Sequence, residues 1–211
     1  MGVLVIVAFV AEISIPTKVA GSALTISGSP LALLAFRSLA WGLFAVAAIP
    51  FFVVVGNLFR PRSVDGAMAA TLLSVVGVVL HSLRAIMQDA AWAAAGGAAS
   101  PSASETAYLQ VVLFGMANPL LPLGAAIWGL GYLFFGVLAG KSGTLPKWLA
   151  IVAFIGGVSG WAIFPVINSS GLFIGYLFTE LLVPLTTAVW GFACGAIFLR
   201  RGRATSLSSS P

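Results

Sequence analysis

The sequence predicts an all-α fold, a polytopic transmembrane bundle of six helices. Apolar residues make up 60% of the 211-residue chain and charged residues only 7%, whereas a soluble domain carries roughly 25% charged residues. Such a chain cannot cover itself with a water-facing surface, so its solvent is largely lipid. Its apolar runs are separated by short turns, and a membrane-spanning helix needs about 20 apolar residues.

A single domain over residues 1–203 holds all six predicted helices, and a disordered polar tail follows over 204–211. The first helix is short, about 21 Å against a hydrocarbon core of about 30 Å. Bilayer thinning and helix tilt can accommodate it, but we favour a natural chain that begins upstream of Met1. A polar loop is expected over 89–106. The predicted helices cover residues 2–15, 31–59, 66–88, 107–140, 148–167 and 172–199.

The fourth apolar run is too long for a straight crossing. Within it, Asn118, Pro119 and Pro122 predict a kink or a break in the helix. Broken helices form transporter sites at mid-membrane. We favour the alternative of a plain kink whose freed backbone groups are satisfied by neighbouring helices.

Basic residues orient the bundle. Lys141 and Lys147 lie in the turn between the fourth and fifth helices, and lysine and arginine are retained on the cytoplasmic side of a membrane. Six crossings put both termini on that side. The basic residues on the cytoplasmic side also account for the net charge of +5, so no nucleic-acid partner is expected. Seven of the ten lysines and arginines fall on the same side: Arg60, Arg62, Lys141, Lys147, Arg200, Arg201 and Arg203.

Glycine pairs spaced four apart recur along the chain. Such pairs let helix backbones approach closely in membranes, so we expect them to serve packing rather than to line a ligand groove. The pairs are Gly136/Gly140, Gly156/Gly160, Gly171/Gly175 and Gly191/Gly195.

Three stretches resemble a known family. They are the hairpin from GYLFFG (131–136) through KSGTLPKWLA (141–150), the basic turn NLFRP (57–61) and the Gly-rich start of the fifth helix. On these motifs the chain resembles the domain of unknown function (DUF) 4386 family of small bacterial integral membrane proteins. The resemblance implies the multi-pass fold and a bacterial inner (cytoplasmic) membrane location. The family has no established activity, so the resemblance assigns no site residue.

Five ionisable residues lie within the predicted spans and form a candidate polar cluster. Each costs about 2.5–3.5 kcal/mol at the bilayer centre, and the predicted topology puts all of them in the outer leaflet. In one interpretation they line a buried cluster or a shallow outward-facing pocket, with Glu180 paired to Arg84 or Arg37. In the other, Arg37, Arg84 and Glu12 extend to the lipid headgroups. Glu180 lies too deep for that and is expected to face protein. The five are Glu12, Arg37, His81, Arg84 and Glu180.

Other chemistries are disfavoured. GVSG (157–160) matches the serine motif of rhomboid intramembrane proteases, but no histidine follows Ser159 to act as its base. No lysine lies within a span to form a Schiff base. The lone His81 and the lone Cys194 cannot build a haem or metal site within the chain. No cofactor is therefore expected.

The sequence predicts a non-enzymatic membrane protein that binds or passes a small or lipid-like molecule through an outer-leaflet polar pocket. Two alternatives stay open. One is an accessory or scaffold subunit that packs its glycine faces against a partner. The other is an intramembrane enzyme that uses His81 and Glu180 as acid and base. The expected partners are membrane lipids, together with a second copy of the chain or another membrane protein.

Overall fold

The computed structural model describes the backbone of residues 1–13, 17–20, 23–26, 31–96, 103–162 and 182–208, and the side chains of 1–11, 31–94, 104–162 and 182–200. Helices dominate this part, and a short antiparallel hairpin, β1 (Thr17–Ala20) with β2 (Ala23–Ile26), lies between the first two helices. The predicted helical fold class is confirmed. The described helices are α1 (Gly2–Ile13), α2 (Leu31–Phe59), α3 (Val64–Gly96), α4 (Ala103–Ser142), α5 (Lys147–Trp161) and α6 (Val183–Ser208).

Four of the described helices are long and apolar enough to cross a membrane: α2, α3, α4 and α6. The shorter α1 and α5 are also apolar. Large apolar side chains cover the outside of the helices, as at Leu72, 58% exposed, and Val111, 72% exposed. Apolar surface is stable when lipid rather than water surrounds it. The chain is therefore a membrane protein. The end of the predicted fifth helix and the start of the predicted sixth lie outside the described residues.

The loop predicted over 89–106 is wrong for most of its length. Helix α3 continues to Gly96, and α4 begins at Ala103. The segment after Asp89 reads AAWAAAG, and alanine has the highest helix propensity, so nothing in it ends the helix. At its other end α3 begins two residues earlier than predicted, where Ser63 caps it by accepting a hydrogen bond at Oγ from Gly66 N–H (3.1 Å).

The predicted break in the fourth helix does not form. Helix α4 is continuous through Asn118, Pro119 and Pro122. Each proline removes one backbone donor, but membrane helices tolerate this through local adjustment and neighbouring groups. The kink at these residues stays a prediction.

Helices α3 and α4 pack with their backbones in contact. A methyl group added at Gly77 would overlap the backbone of Trp128, and one at Gly131 would overlap Ser74. One added at Gly124 would lie 2.9 Å from the His81 backbone nitrogen. The absence of side chains at these three glycines is what allows the close approach, as is usual for membrane helices.

Glycines also carry the contacts of α5. A Cβ on Gly129 of α4 would lie 2.6 Å from the Gly157 carbonyl oxygen. The pair Gly156/Gly160 packs as expected, with Gly156 against Thr186 and Gly160 against the backbone of α4.

In two other glycine pairs, only one of the two glycines makes a close packing contact. Gly136 contacts Phe154, and Gly191 lies against the backbone of Gly2, whereas Gly140 is in ordinary contact and Gly195 meets nothing within 4 Å. Packing is thus confirmed for one member of each pair. Gly171/Gly175 lies outside the described residues.

The antiparallel contacts bring basic residues to one end of the bundle. Gly66, just after the α2–α3 turn, lies beside Leu138, just before the α4–α5 turn. Thr186 of α6 lies against Gly156, and Trp190 Nε1, one turn later, donates a hydrogen bond to the Leu149 carbonyl (3.0 Å). Helix α6 therefore runs toward that same end. We call it the basic end, and its described members are Arg60, Arg62, Lys141, Lys147 and Arg200.

The glycine contacts predict a difference between two matched substitutions. Gly77→Ala forces a methyl group into the backbone of α4 and should lower stability by about 1–3 kcal/mol, as overpacking does. Gly115→Ala, at a position with nothing within 4 Å, should be neutral or stabilise by up to about 1 kcal/mol through helix propensity. Thermal unfolding in detergent, followed by helicity, measures both. Equal melting temperatures would contradict the packing described above.

Candidate functional site

A buried ion pair joins α2 to α3. Arg37 Nη2 contacts Asp89 Oδ1, and the two side chains are 2% and 4% exposed. Ser38 Oγ donates a hydrogen bond to Asp89 Oδ2 (2.7 Å). The Arg37 guanidinium carbon also lies 5.1 Å from the centroid of the Trp92 ring, a cation–π contact. One carboxylate therefore holds two groups of α2.

A second guanidinium lies one turn earlier on α3. Arg84 is 1% exposed, and its Nη1 donates a hydrogen bond to Gln88 Oε1 (3.0 Å). Gln88 follows Arg84 by four residues, a spacing that places the two side chains on one face of a helix.

His81 completes the set between two tryptophans. Its ring centroid lies 4.9 Å from that of Trp41 and 5.8 Å from that of Trp128, and the residue is 1% exposed. Trp128 reaches this position because Gly77 lets α4 approach α3 at that level. We call Arg37, Ser38, His81, Arg84, Gln88 and Asp89 the polar cluster.

Helical spacing explains how these residues meet. On α3, His81, Arg84 and Gln88 follow at intervals of three and four residues, and Asp89 lies next to Gln88. They share one broad face. The antiparallel neighbour α2 presents Arg37 at the level of Asp89.

The ion pair is costly to break. Burying charges in a low-dielectric interior is unfavourable unless they are paired and hydrogen-bonded, and removal of one partner typically costs 3–5 kcal/mol. Here the carboxylate has both a guanidinium and a hydroxyl. The pair links α2 to α3 at the end of the hairpin opposite to its turn, and removal of either partner alone should destabilise that contact.

The structure brings together three of the five predicted site residues: Arg37, His81 and Arg84. The first and the last are 2% and 1% exposed, so they are buried in protein and do not extend to the surface as the headgroup interpretation required. Glu180 lies outside the described residues, and so does the side chain of Glu12, whose backbone is in α1. Their part in the cluster stays a prediction.

Sequence reasoning missed Asp89, the residue that pairs with Arg37. Asp89 and Trp92 fall within the loop predicted over 89–106, and the sequence singles out neither Gln88 nor Ser38. One signal was present: Asp89 follows His81 by eight residues, close to two helical turns, and the segment after it is rich in alanine. A helix continued through that segment would have placed Asp89 on the face of His81.

The hydroxyl of Ser159, the serine of the rhomboid-like motif, is hydrogen-bonded within its own helix. It donates to the Ile155 carbonyl (2.7 Å), a common arrangement for a serine within a helix. The residue is 5% exposed and belongs to α5.

Two surface depressions are described, and neither contains a residue of the polar cluster. One is a groove of about 170 Å³ between α2 and α3 near the basic end. The other is a shallow recess of about 410 Å³ at the start of α4, around Glu105 and Tyr108. The ionisable residues of the polar cluster are buried, whereas Ser38 and Gln88 are half-buried. Within the part of the chain that the structure describes, no three His, Cys, Asp or Glu residues are grouped to hold a metal ion.

Comparison with known proteins gives one match. The model of the family described as "Domain of unknown function (DUF4386)" matches residues 1–171, which is most of the chain. No curated protein and no solved structure matches.

The ion pair generates a prediction with an internal control. Asp89→Ala leaves the Arg37 guanidinium buried without its carboxylate and should lower stability by about 3–5 kcal/mol. The double variant Arg37→Met, Asp89→Leu removes both charges and should regain most of that loss, because a buried pair can be replaced by apolar groups at little cost. Asp65→Ala, at an exposed carboxylate of α3, should change stability by less than about 0.5 kcal/mol.

Thermal unfolding of the four proteins in one detergent measures these differences. If Asp89→Ala and Asp65→Ala melt at the same temperature, the ion pair does not support the fold.

Proposed function

The chain belongs to the DUF4386 family, whose function is unknown, and we propose that it binds or passes a small or lipid-like molecule with an acidic group at the polar cluster. The observation that carries this proposal is the burial of Arg37, Arg84 and His81 together at one level of the bundle. Ionisable residues inside a membrane are expensive and commonly mark ligand or ion pathways. One ion pair is enough to join two helices, and this cluster contains more.

The charges favour an acidic ligand. Among the described residues of the polar cluster, Arg37 and Arg84 carry positive charge and Asp89 carries negative charge. Guanidinium groups bind carboxylates and phosphates through paired hydrogen bonds. The rings of Trp41, Trp92 and Trp128 supply apolar surface beside them. A molecule with an acidic head and an apolar body fits both features.

The proposed orientation has six crossings, with both termini and the basic end in the cytoplasm. The excess of lysine and arginine at that end supports it. Asp89 then lies about 37 Å along α3 from Val64, and His81 about 26 Å, at 1.5 Å per residue. For a hydrocarbon core of about 30 Å, the polar cluster lies in the outer leaflet and at its boundary. The membrane would be a bacterial inner membrane.

The ion pair is also the proposed point of entry. The α2–α3 hairpin is closed by its turn at the basic end, and at the other end Asp89 holds Arg37 and Ser38. An acidic ligand competes with Asp89 for the Arg37 guanidinium. Exchange of one carboxylate for another keeps the Arg37 guanidinium paired while the two helices separate, so opening takes the ion-pair partner from Asp89 alone and not from both residues.

The two alternatives receive less support. A scaffold that packs its glycine faces against a partner is less favoured, because the close glycine contacts at Gly77, Gly131 and Gly160 lie within the chain. An enzyme with His81 and Glu180 as acid and base has its histidine enclosed by tryptophan rings, and Glu180 lies outside the described residues.

Palmitate and hexadecanol, which share a chain length and differ in charge, test the ligand class. Palmitate should raise the melting temperature of the purified protein more than hexadecanol does, since a ligand at 100 times its Kd stabilises by about 2.7 kcal/mol. The double variant Arg37→Met, Asp89→Leu should lose the palmitate effect, whereas Arg62→Gln at the basic end should keep it. Equal effects of the acid and the alcohol, or a palmitate effect that survives in the double variant, would contradict the proposal.

Single cysteines test the orientation in a Cys194→Ala background. A membrane-impermeant maleimide should label Ser104→Cys in intact cells and should label Arg62→Cys only after the membrane is permeabilised. Both positions are exposed in the structure, so accessibility depends on the side of the membrane. The reverse pattern would place the basic end outside.

A further inference from the structure

A groove between α2 and α3 lies near the basic end, far from the polar cluster along the hairpin. Its volume is about 170 Å³. Three apolar side chains form its walls and are exposed at the surface of the protein: Val53 (43%), Met68 (47%) and Leu72 (58%). Asn57 and Arg60 lie at the end nearest the turn. The groove is thus apolar along its length and polar at one end.

The floor of the groove is formed where the two helices come closest. Gly56 has no side chain, and a methyl group there would overlap the Thr71 hydroxyl. That hydroxyl donates a hydrogen bond to the Ala67 carbonyl of its own helix (2.8 Å) and lies 3.3 Å from the Phe52 carbonyl. Its hydrogen-bonding capacity is used within the protein, so the floor presents little polarity to an occupant.

We infer that this groove binds one anionic phospholipid, with the acyl chain along Val53 and Leu72 and the phosphate at Arg60. Asn57 lies in the last turn of α2, Arg60 directly follows the helix, and both line the groove, so both can reach one headgroup. Arginine matches a phosphate through paired hydrogen bonds. Basic residues between membrane helices on the cytoplasmic side attract anionic headgroups in this way.

The charge of the surroundings favours an anionic lipid over a neutral one. Arg60 shares its end of the bundle with Arg62, Lys141, Lys147 and Arg200. The carboxylate described at this end, Asp65, does not line the groove. A positive surface potential therefore extends around the groove mouth, and each basic residue near the membrane surface contributes roughly 1 kcal/mol of attraction.

Arg60 and Arg62 provide a matched pair of variants to test the site. Both arginines are exposed in the same turn, but only Arg60 lines the groove. The full-length protein, purified in a neutral detergent, is mixed with phosphatidylglycerol or with phosphatidylcholine of the same acyl chains. Native mass spectrometry then measures how much of each lipid is retained. The wild type should retain phosphatidylglycerol preferentially.

Arg60→Gln should lower the affinity for phosphatidylglycerol about fivefold, which is the loss of one such charge. Arg62→Gln should lower it by less than twofold. Val53→Trp fills the groove from its lipid-exposed edge and should reduce the retention of both lipids without unfolding the protein. Soluble glycerol phosphate should not compete, because it lacks the acyl chain.

Three results would overturn the inference. Equal losses in Arg60→Gln and Arg62→Gln would show general attraction to the basic end, and competition by glycerol phosphate would show a phosphate site without a lipid. Unchanged retention in Val53→Trp would show that the groove is not occupied. The lipid site is independent of the polar cluster: the double variant Arg37→Met, Asp89→Leu should bind phosphatidylglycerol as the wild type does, and Arg60→Gln should respond to palmitate as the wild type does.

Discussion

The close approach of α3 and α4 is the contact on which the rest of the structure depends. In lipid, helices gain little from burying apolar side chains against each other, so association relies on dispersion contacts and on short distances between backbones. Gly77, Gly124 and Gly131 provide those distances over the two turns of α3 from Ser74 to His81. They also bring Trp128 to the side of His81. The same glycine contacts therefore pack α3 against α4 and position the polar cluster.

The polar cluster combines buried charges, which are unfavourable in a membrane, with interactions that offset their cost. Its charges are expensive to bury, and the structure offsets this cost with an ion pair, hydrogen bonds from Ser38 and Arg84, and three tryptophan rings. The pair between Arg37 and Asp89 joins the open end of the α2–α3 hairpin. In the proposed function, an acidic ligand would have to displace the same pair. Under that proposal, stability and ligand access depend on the same carboxylate.

The hairpin of α2 and α3 has a different chemical character at each end. At the basic end, a groove with apolar walls meets Arg60, and the charges face the membrane surface. At the opposite end, charges are turned inward and enclosed. Such an asymmetry fits a protein that meets lipid headgroups on one side of the membrane and a ligand on the other, with a single pair of helices linking the two sites.

Composition alone was enough to predict a helical membrane protein, and the hairpin motifs were enough to predict its family, which the match over residues 1–171 confirms. These properties are local: they depend on how many charges a chain has and on the residues of a single turn. Arg37, His81 and Arg84 could be recognised for the same reason, since any ionisable residue in an apolar run stands out. His81 and Arg84 are three residues apart, and this spacing was enough to predict that they lie on the same face of a helix.

Which residues those side chains meet was decided only by the tertiary structure. Asp89 looked like the start of a polar loop, because a carboxylate at the end of an apolar run normally marks the membrane boundary. Its burial depends on the register of α2 against α3, which aligns Asp89 with Arg37, and that register is set by contacts between residues far apart in the chain. The outcome at the prolines of α4 and at the glycine pairs likewise depends on contacts with other helices, which the local sequence does not show. The sequence by itself determined that this chain is a membrane protein and which of its ionisable residues are unfavourable in lipid. The packing of the helices decided which interactions offset that cost.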